Sequence, residues 1–368
     1  MRSRERVPIA TPRSGAAAVS GPLIAIPRAV ASYLYGMGAR VHRGQARWTR
    51  AGRGRPACAV LSVGGLTVGG AGKTPVAARL ALAFRRRGRR VVLASRGYKG
   101  HSVDRVTVVS DGRLIHSSVA RGGDESLVLA AHAPGVPVLV GRDRRIVGHH
   151  AISRFDAELL VLDDGFQHHR LTRDLDLVCI DGIAGLGNCQ VLPRGPLREP
   201  LSALWYADWL CLVDSEGADW EAELVTRFAS SGGRVLHARR QPSSLSCLDR
   251  SRREAPSALA GRSVGLLAGV ARPGSVRRSL EALGATIVAE RLFPDHHNYS
   301  AADCASLDPT VPEWVTTEKD ALKILPEWMT GKRLSVLGIE IEFEEEATAL
   351  DAIEKALFEN RHVTESRR

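Results

Sequence analysis

Between Val63 and Pro75 the chain reads Val-Gly-Gly-Leu-Thr-Val-Gly-Gly-Ala-Gly-Lys-Thr-Pro, directly after the apolar run Ala59-Val60-Leu61 and directly before a helix-like stretch. Strand, glycine loop, Lys-Thr and helix is an order that lets main-chain amides cradle phosphate. Glycine allows successive N–H groups to turn inward, and a new helix adds its unpaired amides and the positive end of its dipole. Lys73 would reach the outer phosphates and the Thr74 hydroxyl would hold magnesium. The usual spacing GxxxxGK[ST] has Thr67 at its first glycine position here, while Gly69, Gly70 and Gly72 still supply the pliable backbone.

A second place for chemistry is Asp163-Asp164, which follows the apolar run Leu159–Leu162 and opens Gly165-Phe166-Gln167-His168-His169. An acid at the carboxyl end of a strand beside a phosphate loop is the arrangement that anchors magnesium. A turn cap is the alternative for the second aspartate. Asp181 and Asp214 also end apolar runs. In Gly122-Gly123-Asp124-Glu125-Ser126 an acid stands before the helical run Leu127–His132, where it reads either as a helix cap or as a base taking a proton from an attacking hydroxyl. Phe293-Pro294-Asp295-His296-His297-Asn298-Tyr299 is dense in titratable groups, and a loop histidine there would tune such a base across a cleft. Arg96, Arg142, Arg144, Arg194 and Arg198 lie on glycine- and proline-held loops, suited to bidentate binding of anionic oxygens or simply solvated.

The elements that must position these groups are legible as continuous apolar runs. Val91–Ala94, Val136–Val140, Leu159–Leu162, Leu175–Ile180 and Trp209–Val213 lack polar alternation, as do strands buried on both faces of a parallel sheet. Val76–Arg87 is the helix after the glycine loop, ending in an arginine cluster (Arg85, Arg86, Arg87, Arg89, Arg90) that suits a helix C-terminus. The composition loosens near Ser230–Gly233, stays polar through Ala255, and then gives a second set of runs at Val264–Gly269, Ile287–Ala289, Trp314–Thr317 and Leu334–Ile339, with a last helix over Glu345–Glu359. The fold class is therefore α/β, with a boundary near residue 235.

With 51 Lys+Arg against 40 Asp+Glu the chain carries +11, which favours anionic partners. Aromatics are only 5% and the basic residues are scattered, which argues against nucleic acid. The six cysteines form no CxxC pair and read as reduced core residues, not as zinc ligands or disulfides. Residues 1–20 read as a disordered lead. From Gly21, the apolar and aromatic residues Leu23, Ile24, Ile26, Val30, Tyr33, Leu34 and Met37 are mixed with Arg28 and followed by Arg40 and Arg43. That run is too short to span a bilayer, and reads as an amphipathic helix over 21–45 on a membrane surface, with a helix docked on the protein's own core as the alternative.

In these segments the chain resembles the tetraacyldisaccharide 4'-kinase (lipid A 4'-kinase) family of Gram-negative bacteria. The resemblance covers about residues 22–345 and rests on SVGGLTVGGAGKTP, SRGYKG, GGDES, VGRDR, LDDGFQHHRLTRDLDLVCID, LPRGPLREP, LAGVARPGS, FPDHHNYS and TTEKDALK. The family's usual GN before the loop is Gly64-Gly65 here, and its usual GDEP is GDES. The resemblance implies ATP-dependent phosphorylation of the 4'-hydroxyl of an acylated disaccharide 1-phosphate at the cytoplasmic face of the inner membrane, with magnesium; no nucleic acid and no obligate protein partner is inferred, and the alternative is a P-loop ATPase or GTPase acting on nucleic acid or a membrane-associated nucleotide sensor. It implies Asp124 as base with His296 as its partner, and Lys73 as a catalytic cation. ATP would lie on Thr67, Val68, Gly69, Gly70, Ala71, Gly72, Lys73 and Thr74. The metal would be supported by Thr74, Glu125, Asp163 and Asp164, and the substrate by Arg96, Arg142, Arg144, Gln167, Arg194 and Arg198. The implied architecture is a P-loop NTPase-like parallel-sheet domain (46–235), a second, smaller α/β domain (236–368) closing the cleft, and the membrane-surface helix.

Overall fold

The computed structural model describes residues 22–48, 54–97, 100, 104–249 and 251–365. The lead read over residues 1–20, and Tyr98 and Lys99 of the SRGYKG motif, lie outside the described residues. The strands are β1 (Ala59–Gly65), β2 (Val91–Ser95), β3 (Thr107–Ser110), β4 (Val138–Val140), β5 (Leu159–Asp163), β6 (Leu175–Asp181), β7 (Trp209–Val213), β8 (Arg234–Cys247), β9 (Arg253–Glu254), β10 (Ser263–Ala268), β11 (Thr286–Leu292), β12 (Trp314–Thr317) and β13 (Leu334–Phe343). They form one sheet in the order β11-β10-β12-β13-β8-β7-β6-β1-β5-β2-β4-β3, with β9 beside β8.

β1 pairs in parallel with both β5 and β6, the middle position expected of the strand that feeds a ligand loop. Successive residues of each strand enter different cores. Leu61 and Val63 pack with the helices Lys73–Arg86, Asp124–His132 and Glu346–Glu365 on one face, whereas Val60, Leu160 and Leu162 pack with the helix Arg144–Phe155 on the other. That double covering is why these strands read as unbroken apolar runs.

The polar stretch near residue 235 is the longest strand of the sheet. β8 pairs in parallel with β7 over Arg234–Ala238 and antiparallel with β13 over Ala238–Cys247, so a single strand joins the two sets of parallel strands. Its residues are mostly half-buried, and that partial covering is what made the segment look like a connection.

The N-terminal helix runs from Pro22 to Trp48, further than its apolar residues suggest. Ser32 and Gly36 are buried against the body, while Val30, Tyr33, Leu34, Met37 and Val41 are exposed. Among the described residues no helix is long and apolar enough to cross a membrane.

Candidate active site

The loop after β1 turns on glycines with φ of +75° (Gly69), +33° (Gly70) and +79° (Gly72), the left-handed region where a side chain is strained. Gly72 caps the helix Lys73–Arg86 with no side-chain hydrogen bond and no acid in the first turn, leaving the first amides open to an anion. The loop is braced from behind. Val68 N–H donates to Pro196 O at 2.9 Å, Arg198 N–H to Leu66 O at 2.7 Å, and Gln167 Nε2 to Gly65 O at 3.0 Å. A Cβ on Gly72 would meet Val213 at 3.2 Å and Arg240 at 3.3 Å, so a larger residue there would have to push both aside as well as adopt a strained φ.

Two aspartates at the end of β5 face this loop in different states. Thr74 Oγ1 donates to Asp163 Oδ2 at 3.1 Å, while Asp163 Oδ1 is buried with no hydrogen-bond partner among the described residues. Burial, then the Glu125 and Asp164 carboxylates, push the Asp163 carboxyl up to about 7. Asp164 instead sits between Lys73 at 3.4 Å and Arg198 at 2.6 Å; burial raises its carboxyl, but those two cations outweigh burial and hold it below the ordinary range. Burial raises the Glu125 carboxyl as well. The orphaned Asp163 oxygen beside the Thr74 hydroxyl is the kind of oxygen pair a hard divalent cation takes, although among the described residues no three carboxylate, histidine or cysteine side chains converge on one point.

Asp124 is the first residue of its helix, behind Gly123 at φ +82°. Its Oδ1 accepts from the Glu125 amide at 2.9 Å, and its Oδ2 faces His296 Nδ1 at 2.9 Å. The carboxylate thus makes the local helix-end contact and a long-range one across the cleft. His296 has φ +61°, in the left-handed region that side-chain-bearing residues rarely adopt. Its Nε2 lies 3.2 Å from Lys319 Nζ, which pairs with Asp295 at 2.8 Å. Burial raises the Asp124 carboxyl, but the His296 bond and the Lys319 and Lys323 charges bring it below the usual range, so it stands ionised. His297 turns away, stacked on Phe293 at 4.2 Å and 3.2 Å from Asp303.

These groups border a cleft of about 950 Å³ between the two sets of strands. Thr74, Glu125, Asp164, His296, Gln167, Arg96, Arg142, Arg144 and Arg198 line it, together with residues 68–73. Thr67, Asp124 and Asp163 are buried directly behind that lining. Arg194 is not in it; it is exposed on the turn that follows Val191. Arg144 is buried, donates to Gly141 O, and has its guanidinium pulled down to about 10 by that burial.

Sequence reasoning missed the cations contributed by the far side. Arg240 joins Asp181 at 3.0 Å, Asp214 at 2.5 Å and Gly70 O at 2.8 Å, and Arg272 reaches Asp181 at 2.7 Å. Asp181 and Asp214 had signalled strand ends, but their shared partner follows only from β6, β7 and β8 being neighbours.

A family model described as Tetraacyldisaccharide-1-P 4'-kinase matches residues 25–357. A tetraacyldisaccharide 4'-kinase of Syntrophus aciditrophicus (strain SB) is 42% identical over 287 residues, covering 73% of this chain and 76% of the relative. One of Anaeromyxobacter dehalogenans (strain 2CP-C) is 42% identical over 313 residues, covering 81% of both. Among solved structures, LpxK from Aquifex aeolicus, described as an "apo" form in complex with ATP, superposes with a TM-score of 0.71 at 29% identity, covering 89% of this chain and 97% of that one.

Proposed function

The chain belongs to the tetraacyldisaccharide-1-phosphate 4'-kinase family, and on that premise we propose how its cleft transfers the γ-phosphoryl group of ATP to the 4'-hydroxyl of the acylated disaccharide 1-phosphate, forming lipid IVA in lipid A synthesis. The observation that carries the mechanism is the 2.9 Å contact between Asp124, on the phosphate-loop side, and His296, on the far side.

In this reading the open amides of residues 69–74 hold the nucleotide phosphates and Lys73 lies along the outer ones. Asp124 takes the proton of the 4'-hydroxyl as the new O–P bond forms and the β,γ-bridging bond breaks, ADP leaving with the negative charge. His296 orients the carboxylate and stabilises the proton it receives. Magnesium, where bound, neutralises charge on the transferring phosphoryl group. Thr74 and Asp163 would hold it, supported by Glu125, because Asp163 has the free oxygen while Asp164 is engaged by Lys73 and Arg198. Arg96, Arg142, Arg144 and Gln167 would meet the anionic substrate along the cleft wall, whereas Arg194 stands outside that wall.

The exposed stripe Val30, Tyr33, Leu34, Met37 and Val41 recurs at helical spacing, and Tyr35 of the same helix lines the cleft. We propose that this face lies in the cytoplasmic leaflet of the inner membrane, beside the lipid to be phosphorylated. Leu34→Ser should lower co-sedimentation with anionic vesicles, and equal sedimentation would leave the helix as a docked element alone.

For the chemistry, purified protein with ATP, magnesium and the acylated disaccharide in detergent micelles should transfer phosphate, and Asp124→Asn should lower kcat by about 10³-fold or more. Undiminished turnover in that variant would remove Asp124 from the reaction.

A further inference from the structure

The N-terminal helix meets the body along one stripe. Ser32 Oγ donates to Val191 O at 2.7 Å, and a Cβ on Gly36 would stand 3.4 Å from Val191. The third point is ionic. Arg43 Nε donates to Glu199 Oε2 at 2.7 Å, Nη2 lies 2.7 Å from the same oxygen as an ion pair without hydrogen-bond geometry, and the guanidinium lies 4.6 Å from the Phe166 ring centroid and 5.0 Å from that of Tyr206. The two charged side chains are only 11% and 5% exposed. An ion pair so far from water is costly to build and worse to break by halves. A helix that served only as an anchor would not require one.

Both partners of Arg43 adjoin the phosphate site. Phe166 follows Asp163-Asp164-Gly165 and packs against Gly64 of β1, where any Cβ would collide with it. Glu199 follows Arg198, which points the other way to hold Asp164 Oδ2 at 2.6 Å. The backbone amide of Arg198 is bonded to Leu66, at the base of the phosphate loop. Among the described residues, the other carboxylate oxygen, Glu199 Oε1, lies 3.7 Å from His169 Nε2.

We infer that Arg43 is a positioning residue for phosphoryl transfer: its grip on Glu199 and Phe166 keeps Arg198 against Asp164, so the seat of the N-terminal helix shapes the nucleotide site. This rests on the kinase reading above. Without Arg43, Glu199 becomes a buried carboxylate short of a cation, and the stretch Leu197–Pro200 must move to bring it water. Arg198, on that same stretch, moves with it, and Asp164 loses a partner. The helix then couples lipid engagement to the geometry around ATP.

The test uses the full chain in detergent micelles at saturating lipid, where attachment to a bilayer is irrelevant, and separately measures MgATP affinity without lipid. Arg43→Ala should lower kcat roughly ten-fold and weaken MgATP, with little change in KM for lipid. Arg43→Lys should recover part, since it returns the charge without the planar fork. Arg43→Ala combined with Glu199→Gln should recover most, because no orphaned carboxylate remains. A folded Arg43→Ala protein with wild-type kcat and MgATP affinity would overturn the inference, as would a double variant no better than the single. If Arg43→Ala does not fold, the double variant and Arg43→Lys decide it by the same two readouts. A wild-type chain that transfers no phosphate would count against the kinase reading, whereas the MgATP arm bears on Arg43 without any lipid.

Discussion

Arginine gathers in two regions of this chain, and the two are furnished differently. Behind the sheet, Arg79 pairs with Glu346, Arg87 with Asp351 and Glu354, and Arg89 with Glu354 while lying 4.3 Å over Phe358. Those carboxylates belong to the helix Glu346–Glu365, so the cluster fastens the C-terminal helix to the one that follows the phosphate loop. In the cleft, Arg96 and Arg142 have no carboxylate partner among the described residues, and Arg144 finds a backbone carbonyl. Arg198, Arg240 and Arg272 on the same lining are held by Asp164, Asp181 and Asp214, so the cleft mixes arginines stapled by acids with Arg96 and Arg142, which on the proposed reading meet the substrate. Net charge cannot separate the two; the supply of acceptors can.

The contrast sharpens when stability and turnover are measured on the same variants. The largest effect is expected at Asp163. Its carboxyl is raised to about 7, above an unfolded value of about 4, so the folded chain favours the protonated form. The stability from that preference is complete below pH 4 and is lost as pH rises through 7, which leaves the nucleotide-free protein strained at pH 8. Asp163→Asn should therefore raise Tm at pH 8 and flatten the pH 4–7 slope while lowering kcat by about 10³-fold. A variant that loses turnover and Tm together would place Asp163 among the structural groups.

Next in size, Arg142→Ala should lower kcat/KM by about 10- to 100-fold, the loss of one charged hydrogen bond to substrate, with Tm unmoved. Arg87→Ala should do the reverse, costing at most about 1 kcal/mol of stability, because its partners are partly solvated, with kinetics intact. Exchanged outcomes for these two would break the distinction between stapled and substrate-meeting arginines.

How much of this could be read from residues alone depended on the distance over which each feature is decided. The phosphate loop was legible because strand, glycines, Lys73 and Thr74 are contiguous, and the Asp163-Asp164 pair because it ends an apolar run. The dual contacts of Asp124 were not, since cap and base readings coexist on one carboxylate with two oxygens. Arg240, Arg272 and Lys319 were missed because their partners come from other strands and loops, and nothing near them in the chain records that strand order. β8 escaped because a strand covered only in part mixes Arg239, Arg240 and Gln241 with apolar residues, as a connection would.

That strand also constrains how the polypeptide can be divided. A cut near residue 235 would strip β7 of its neighbour along Arg234–Ala238 and leave a row of main-chain donors and acceptors open on one fragment, with β8 cleaved at its first pairing residues on the other. Raw sheet margins of that kind invite pairing with other chains. Nucleotide cradle and far wall are therefore woven on a common thread, and neither fragment would inherit a finished border.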